Sequence, residues 1–134
     1  MIFGGVFDRH PDLPVVCVEA DAGWAAHWMY RADHAVERHR NWLGAATLER
    51  RPSEYFRDNV YVTFQDDWVA FQTAHLVNHE HLLWASDFPH SDSTFPQSQH
   101  VLAEHTAHLD DGVREDIVWR NCARLYRLPI ESEA

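Results

Sequence analysis

The chain has 134 residues, 46% of them hydrophobic and 13% aromatic, which is enough apolar side chain for one packed domain and excludes disorder. The formal charge is −10 at pH 7, which repels nucleic acid, and all eleven basic residues are Arg, which excludes lysine chemistry such as a Schiff base or a carbamylated metal bridge. No apolar stretch is long enough to cross a membrane, and Met1-Ile2-Phe3-Gly4-Gly5 has neither the basic nor the apolar region of a signal peptide.

In chain order, Leu13-Pro14-Val15-Val16-Cys17-Val18 is a continuous apolar run and predicts a strand covered on both faces, with Pro14 tolerated near its start. From Ala22 to about Arg40 apolar residues recur at Trp24/Ala25, Trp28/Met29, Ala32 and Ala35/Val36, the period of an amphipathic helix. Residues 41–59 contain Gly44 and Pro52 and read as a loop with short helical turns. Val60-Tyr61-Val62-Thr63-Phe64 is β-branched and aromatic and predicts a second strand. A helix over Asp67 to Val77 would align Trp68, Phe71 and His75, with Asp66 or Asp67 as its cap. Leu82-Leu83-Trp84-Ala85 predicts a third strand. Ser93-Thr94-Phe95-Pro96 opens a third helix through a hydroxyl cap, and Asp110-Asp111 opens a fourth that runs to Tyr126. The tail Glu131–Ala134 reads as frayed. Cys17 and Cys122 form no C-x-x-C pair and predict small buried thiols in a reducing, cytoplasmic setting. The tryptophans are expected in the core or between helix and sheet, with Trp24 and Trp84 as possible pocket walls.

Alternating strands and helices imply an α/β fold with a mainly parallel sheet. A (β/α)8 barrel typically takes about 250 residues, so three units form at most part of one; an open doubly wound sheet is the other candidate. Each strand ends in acid: Val18 is followed by Glu19 and Asp21, Phe64 by Gln65-Asp66-Asp67, and Ala85 by Ser86-Asp87. In parallel folds these ends gather on one face, where active sites form, and a partly desolvated carboxylate there needs a metal, an Arg or a hydrogen-bond donor. Asp87, with His90 three residues on, can supply a metal ligand and a second polar group to one pocket. The pair His79/His81 precedes Leu82, and six residues of strand from His81 to Asp87 would span roughly 20 Å, too far for a shared metal. The pairs His75/His79 and His105/His108 read as solvated helix-face histidines.

Trp84-Ala85-Ser86-Asp87-Phe88-Pro89-His90, followed by Ser93-Thr94-Phe95-Pro96, resembles the strand-8 signature of the amidohydrolase-related family, which includes the aminocarboxymuconate-semialdehyde and resorcylate decarboxylases. Gly5–Leu13 resembles the segment leading into strand 6, Arg51-Pro52-Ser53-Glu54-Tyr55 a motif before strand 7, and Asn121–Tyr126 the closing helix. The resemblance implies a (β/α)8 TIM barrel of which this chain, residues 1–134, is the C-terminal part of a single domain. It implies that Asp87 binds the catalytic divalent metal, Zn²⁺ or else Mn²⁺, and takes a proton from water. Glu19 stands where the decarboxylases carry a catalytic histidine and could act as acid or base if burial raised its pKa, while His90 and Trp24 would meet substrate. The resemblance also implies further metal ligands N-terminal to the strands seen here. The expected function is therefore part of an enzyme that hydrolyses C–N or C–O bonds or decarboxylates a small carboxylate, inactive alone and partnered by its N-terminal half or a second copy. The alternatives are a non-catalytic product that associates through open strand edges, or a histidine-rich metal-binding module.

Overall fold

The structure, a computed structural model, describes residues 1–43 and 48–129. Three strands, β1 (Val15–Cys17), β2 (Val60–Phe64) and β3 (Leu82–Trp84), form a parallel sheet in that order. Cys17 lies opposite Val62 and Val62 opposite Leu82, so all three strands end on the same side. β1 is shorter than its apolar run. It is half-buried along its length rather than covered on both faces, and Val18 beyond it is 61% exposed. β2, in the centre, buries Val62 and Phe64, and β3 buries Leu82 and Leu83.

The helices are α1 (Val6–Arg9), α2 (Ala25–Leu43, kinked at His39), α3 (Pro52–Asn59), α4 (Trp68–Gln72), α5 (Ser98–His105), α6 (Asp111–Glu115) and α7 (Asn121–Tyr126). A π turn over Asp116–Arg120 joins α6 to α7, so the fourth predicted helix is continuous but underwound at its centre. α2 buries Ala25, Met29, Ala32 and Val36 at the predicted spacing. The 41–59 segment is more helical than expected, since residues 41–43 close α2 and Pro52 supplies the first turn of α3. Residues 44–47 and the tail fall outside the described residues.

Several expectations are corrected. α4 stops at Gln72: the Thr73 N–H still reaches the Val69 carbonyl at 3.0 Å, but the Ala74 N–H turns to Phe71 at 3.4 Å and the chain continues in tighter turns. Trp68 and His75 are consequently exposed and only Phe71 of that line is buried, with Ala70 and Ala74 beside it. α5 opens at Gln97 with no side-chain cap, because the Thr94 hydroxyl meets the Ser98 hydroxyl instead of a backbone N–H. His105 is not solvated: its side chain is 16% exposed, it lies edge-on to Phe71, and its Nδ1 is buried without a partner. The cysteines are free and only half-buried. Trp24, Trp42, Trp68 and Trp119 are exposed rather than in the core, Trp24 from the turn that precedes α2.

The quoted motifs are tie points between elements. Asp33 of α2 accepts the N–H of Ser53 at 2.9 Å and its hydroxyl at 2.7 Å, and the Tyr55 hydroxyl bonds Asp8 of α1. Buried Asn59 donates to the carbonyls of Pro11 and Leu13 ahead of β1, and buried Asn121 donates to those of His79 and Leu82 at the start of β3. At the opposite end of the sheet Asp67, the cap of α4, does more than cap. Its carboxylate accepts N–H groups from Ala22 at 2.8 Å, Gly23 at 2.6 Å and Ala70 at 3.0 Å. Gly23 must be glycine for this approach, since a Cβ there would lie 2.8 Å from both Asp67 Oδ1 and Val69 Cβ.

Asp67→Ala is expected to destabilise the chain by about 2 kcal/mol or more, because it removes a cap and leaves N–H groups of the β1–α2 loop unpaired. Asp67→Asn, with one acceptor oxygen, should fall between. Urea unfolding checks this, and an alanine variant as stable as wild type would contradict it.

His81, in the turn His79–His81 that enters β3, stacks on Tyr61 at 3.9 Å, and burial pushes its pKa below the ordinary 6.5. The unfolded chain therefore takes up this proton first. The contribution is complete above about pH 6.5 and is lost as the pH falls from there toward the lower folded pKa. His81→Gln should lose less melting temperature than wild type between pH 7 and pH 5. Superimposable pH profiles would contradict the assignment.

Candidate functional site

The parallel register delivers the β1–α2, β2–α4 and β3–α5 connections to one rim. A cleft of about 280 Å³ opens there, lined by Glu19, Asp21, Thr63, Phe64, Gln65, Ala85, Asp87, His90 and Asp92. Glu19, Asp21 and Asp87 have φ of 53°, 51° and 59°, the left-handed region that non-glycine residues rarely adopt. Such positions cost about 1–3 kcal/mol each and persist where the surroundings enforce them. Here the surroundings are visible. The Glu19 N–H donates to Thr63 Oγ1 at 2.9 Å, and the indole N–H of Trp24 donates to the carbonyls of Ala20 and Asp21. Beyond Asp87, Ser86 takes both the Ser93 hydroxyl at 2.7 Å and the Thr94 N–H at 3.1 Å on its carbonyl, folding the loop back.

Of the acids that follow the strands, Glu19 and Asp87 meet with His90. Each of these residues offers a ligand atom within 4.8 Å of the others. Asp87 is the most sheltered, with its side chain 24% exposed, whereas Glu19 and His90 are open to solvent. His90 Nδ1 lies 2.9 Å from Asp87 Oδ1, and its N–H donates to the Asp87 carbonyl at 2.9 Å. The hydrogen bond to Asp87, the Asp87 charge and then the Glu19 charge raise the His90 pKa above 6.5. Burial, followed by the charges of Asp67, Asp92 and Asp66, raises the Asp21 carboxyl above the ordinary range, although the Gln65 N–H opposes this.

Trp24 is not among the lining residues. Its ring packs edge-on against Trp28 and Phe56, and its N–H holds the loop that carries Glu19 and Asp21. The sequence reading did not select Thr63, Gln65 or Asp92. Gln65 Nε2 donates to Asp92 at 3.2 Å, and Gln65 Oε1 is buried in the cleft wall with no partner. The available signal was position, since Thr63 and Gln65 flank the last residue of β2. The His79/His81 pair lies at the other end of β3, beside Asp116 and Tyr61, as the length arithmetic required.

The donor set suits a divalent cation. Two carboxylates and an imidazole match the ligand types of Zn²⁺ and Mn²⁺, and among the described residues no arginine lines the cleft to neutralise Glu19, Asp21, Asp87 and Asp92.

Comparison with known proteins follows the same lines. The model of the amidohydrolase family matches residues 1–128. The curated proteins give no match. Among solved structures, the chain is similar to 5-carboxyvanillate decarboxylase LigW from Sphingomonas paucimobilis, with 27% identity and a TM-score of 0.80 over 96% of this chain and 38% of that one. An amidohydrolase from Mycobacterium avium subsp. paratuberculosis shares 23% identity with a TM-score of 0.75, covering 93% of this chain and 31% of its own. A dihydroxybenzoic acid decarboxylase from a Polaromonas species, solved with manganese and 2-nitroresorcinol, shares 20% identity with a TM-score of 0.71 over 95% and 37%. The last two bear on the fold alone. The chain thus spans less than two-fifths of the length of each of these structures, and its three βα units correspond to part of their barrels. With the family model covering all but its last few residues, the chain belongs to the amidohydrolase family.

Proposed function

We propose that this chain supplies the C-terminal strand ends of a metal-dependent active site that acts on a small molecule. The reaction would be hydrolysis of a C–N or C–O bond or loss of CO₂ from a small carboxylate. The observation that carries this reading is the convergence of Glu19, Asp87 and His90 from loops after β1 and β3, across the central strand. Asp87 is the residue to hold Zn²⁺ or Mn²⁺, being the most sheltered of the three and oriented by His90. A divalent ion bound there would supply a water of pKa near 7 and polarise a substrate oxygen. Asp87 Oδ2, the oxygen not engaged by His90, is free to accept a proton. His90, held toward its protonated form by Asp87, presents a positive group to a substrate carboxylate. Glu19 adds a second negative oxygen opposite Asp87. Trp24 is read as a positioning residue for the Glu19–Asp21 loop rather than a substrate contact.

The rest of such a site, including further metal ligands, would come from barrel segments outside the matched portion. We propose that the chain alone does not turn over substrate. The free, half-buried cysteines suit a cytoplasmic setting, and no described helix is long and apolar enough to cross a membrane.

A hybrid in which this chain replaces the matched portion of the 5-carboxyvanillate decarboxylase should release CO₂ from 5-carboxyvanillate and contain a stoichiometric divalent metal. Asp87→Asn in that hybrid should lower metal affinity and turnover together, each by at least about 100-fold. Unchanged metal content and rate in the Asn variant would contradict the role of Asp87.

A second reading, association without catalysis, is favoured by an apolar groove formed by Trp84, Val118, Trp119, Cys122, Ala123, Leu128 and Pro129, in which Trp119 is 41% and Leu128 52% exposed. It predicts concentration-dependent association in sedimentation velocity. A monodisperse monomer would remove it.

A further inference from the structure

Nearly every buried polar atom in a folded protein has a hydrogen-bond partner, so an exception asks what it pairs with. Among the described residues, the cleft wall holds such an exception in the side-chain oxygen of Gln65. We infer that Gln65 Oε1 is a specificity contact, which takes a hydrogen bond from an O–H or N–H group of the small molecule that enters the cleft. The inference rests on the proposed function only in taking this cleft as the substrate site. It goes beyond that reading in naming a group that the substrate must carry.

The first ground is placement. Gln65 follows Phe64, the last residue of the central strand, so it stands between the loop that carries Glu19 and the loop that carries Asp87. Its backbone is engaged on both sides. The N–H reaches the Asp21 carboxylate, and the carbonyl accepts the indole N–H of Trp84 at 2.9 Å. The residue cannot leave the wall without breaking both bonds.

The second ground is orientation. Gln65 Nε2 donates to Asp92 Oδ2 at 3.2 Å. An ionised carboxylate only accepts, so the amide must show Asp92 its NH₂ end, which turns the oxygen the other way. The donor end is thus held by an exposed aspartate, while the acceptor end is enclosed and unpaired. Rotation about the last side-chain bond of a glutamine is soft, and Asp92 at the surface can follow it. A modest turn of the amide therefore brings Oε1 onto a group bound in the cleft.

The third ground is the chemistry of the neighbours. Glu19, Asp21, Asp87 and Asp92 offer acceptor oxygens, Thr63 Oγ1 accepts the Glu19 N–H, and His90 Nδ1 is bonded to Asp87. None of them donates to Gln65 Oε1. A wall this rich in acceptors is complemented by a donor. Phe64 and Ala85 form the apolar part of the same wall, against which the body of a small molecule can lie. The matching ligand is a neutral molecule with an apolar body and an O–H or N–H group, since an anionic group at this end would meet Asp21 and Asp92. A site built to accept such a hydrogen rejects the analogue that lacks it, because the buried acceptor is then left unpaired.

The test titrates the intact, ¹⁵N-labelled chain with phenol and with fluorobenzene, which has nearly the same shape and no donor hydrogen. Phenol is expected to shift the side-chain amide signal of Gln65 and to bind about tenfold more tightly than fluorobenzene, the worth of one well-made hydrogen bond. Gln65→Met keeps the length and removes the acceptor, and should bring the two affinities to about the same value. Asp92→Asn keeps an oxygen for Nε2 and should keep the preference. Asp92→Ala, at an exposed position, releases the amide and should lower the preference several-fold. That variant decides the matter if Gln65→Met does not fold. A preference for phenol that survives Gln65→Met, or no preference in the wild type, overturns the inference and leaves the Asp87 reading standing. Signals of the cleft residues that move with neither probe overturn the inference and count against the cleft as a substrate site.

Discussion

Parallel pairing with Cys17, Val62 and Leu82 in one row is the constraint on which the site depends. It fixes where three chain segments end, and these ends bear the acids. Because β1 and β3 flank β2, Glu19 and Asp87 arrive from opposite sides of Phe64 and face each other across it. Neither could reach the other if one strand ran antiparallel, or if the register slipped by a residue and turned its side chains to the other face.

The tie points divide between the two ends of the sheet. At the N-terminal ends, buried Asn59 donates to a carbonyl ahead of β1 and buried Asn121 to the carbonyls of His79 and Leu82 at the entry of β3, fixing where those strands begin. At the C-terminal ends, Asp67 gathers N–H groups from the neighbouring loop while its own helix starts. An acid satisfied by backbone donors is structural. An acid with few donors, such as Asp87 with only His90 beside it, is left able to bind something else. This contrast separates the role of Asp67 from that of Asp87, although both follow a strand and both are aspartates.

The strands, their parallel sense and the acids after them were legible because continuous apolar runs with β-branched residues have few other readings, and the residue that follows is placed by the strand itself. The Glu19–Asp87 encounter followed from topology alone. Other features had no local signature. Left-handed φ at Glu19, Asp21 and Asp87 is not announced by residue type as it would be by glycine. The hydrogen bond from Ala22 to Asp67 joins residues 45 apart, and nothing near either one signals it. α4 reads as a longer helix because its apolar line continues, whereas beyond Thr73 the backbone bonds shorten to tighter turns. The burial of His105 arises from packing against Phe71 and could not be read from helical spacing.

The central claim is that the strand-end cleft is where an ion resides. Crystals of the hybrid decarboxylase carrying this chain, grown with Zn²⁺ and measured at the zinc absorption edge, test it most directly. The result expected is an anomalous peak in the cleft bonded to Asp87. Peaks confined to surface histidines such as His75 or His100, with the cleft bare at full zinc loading, would contradict it.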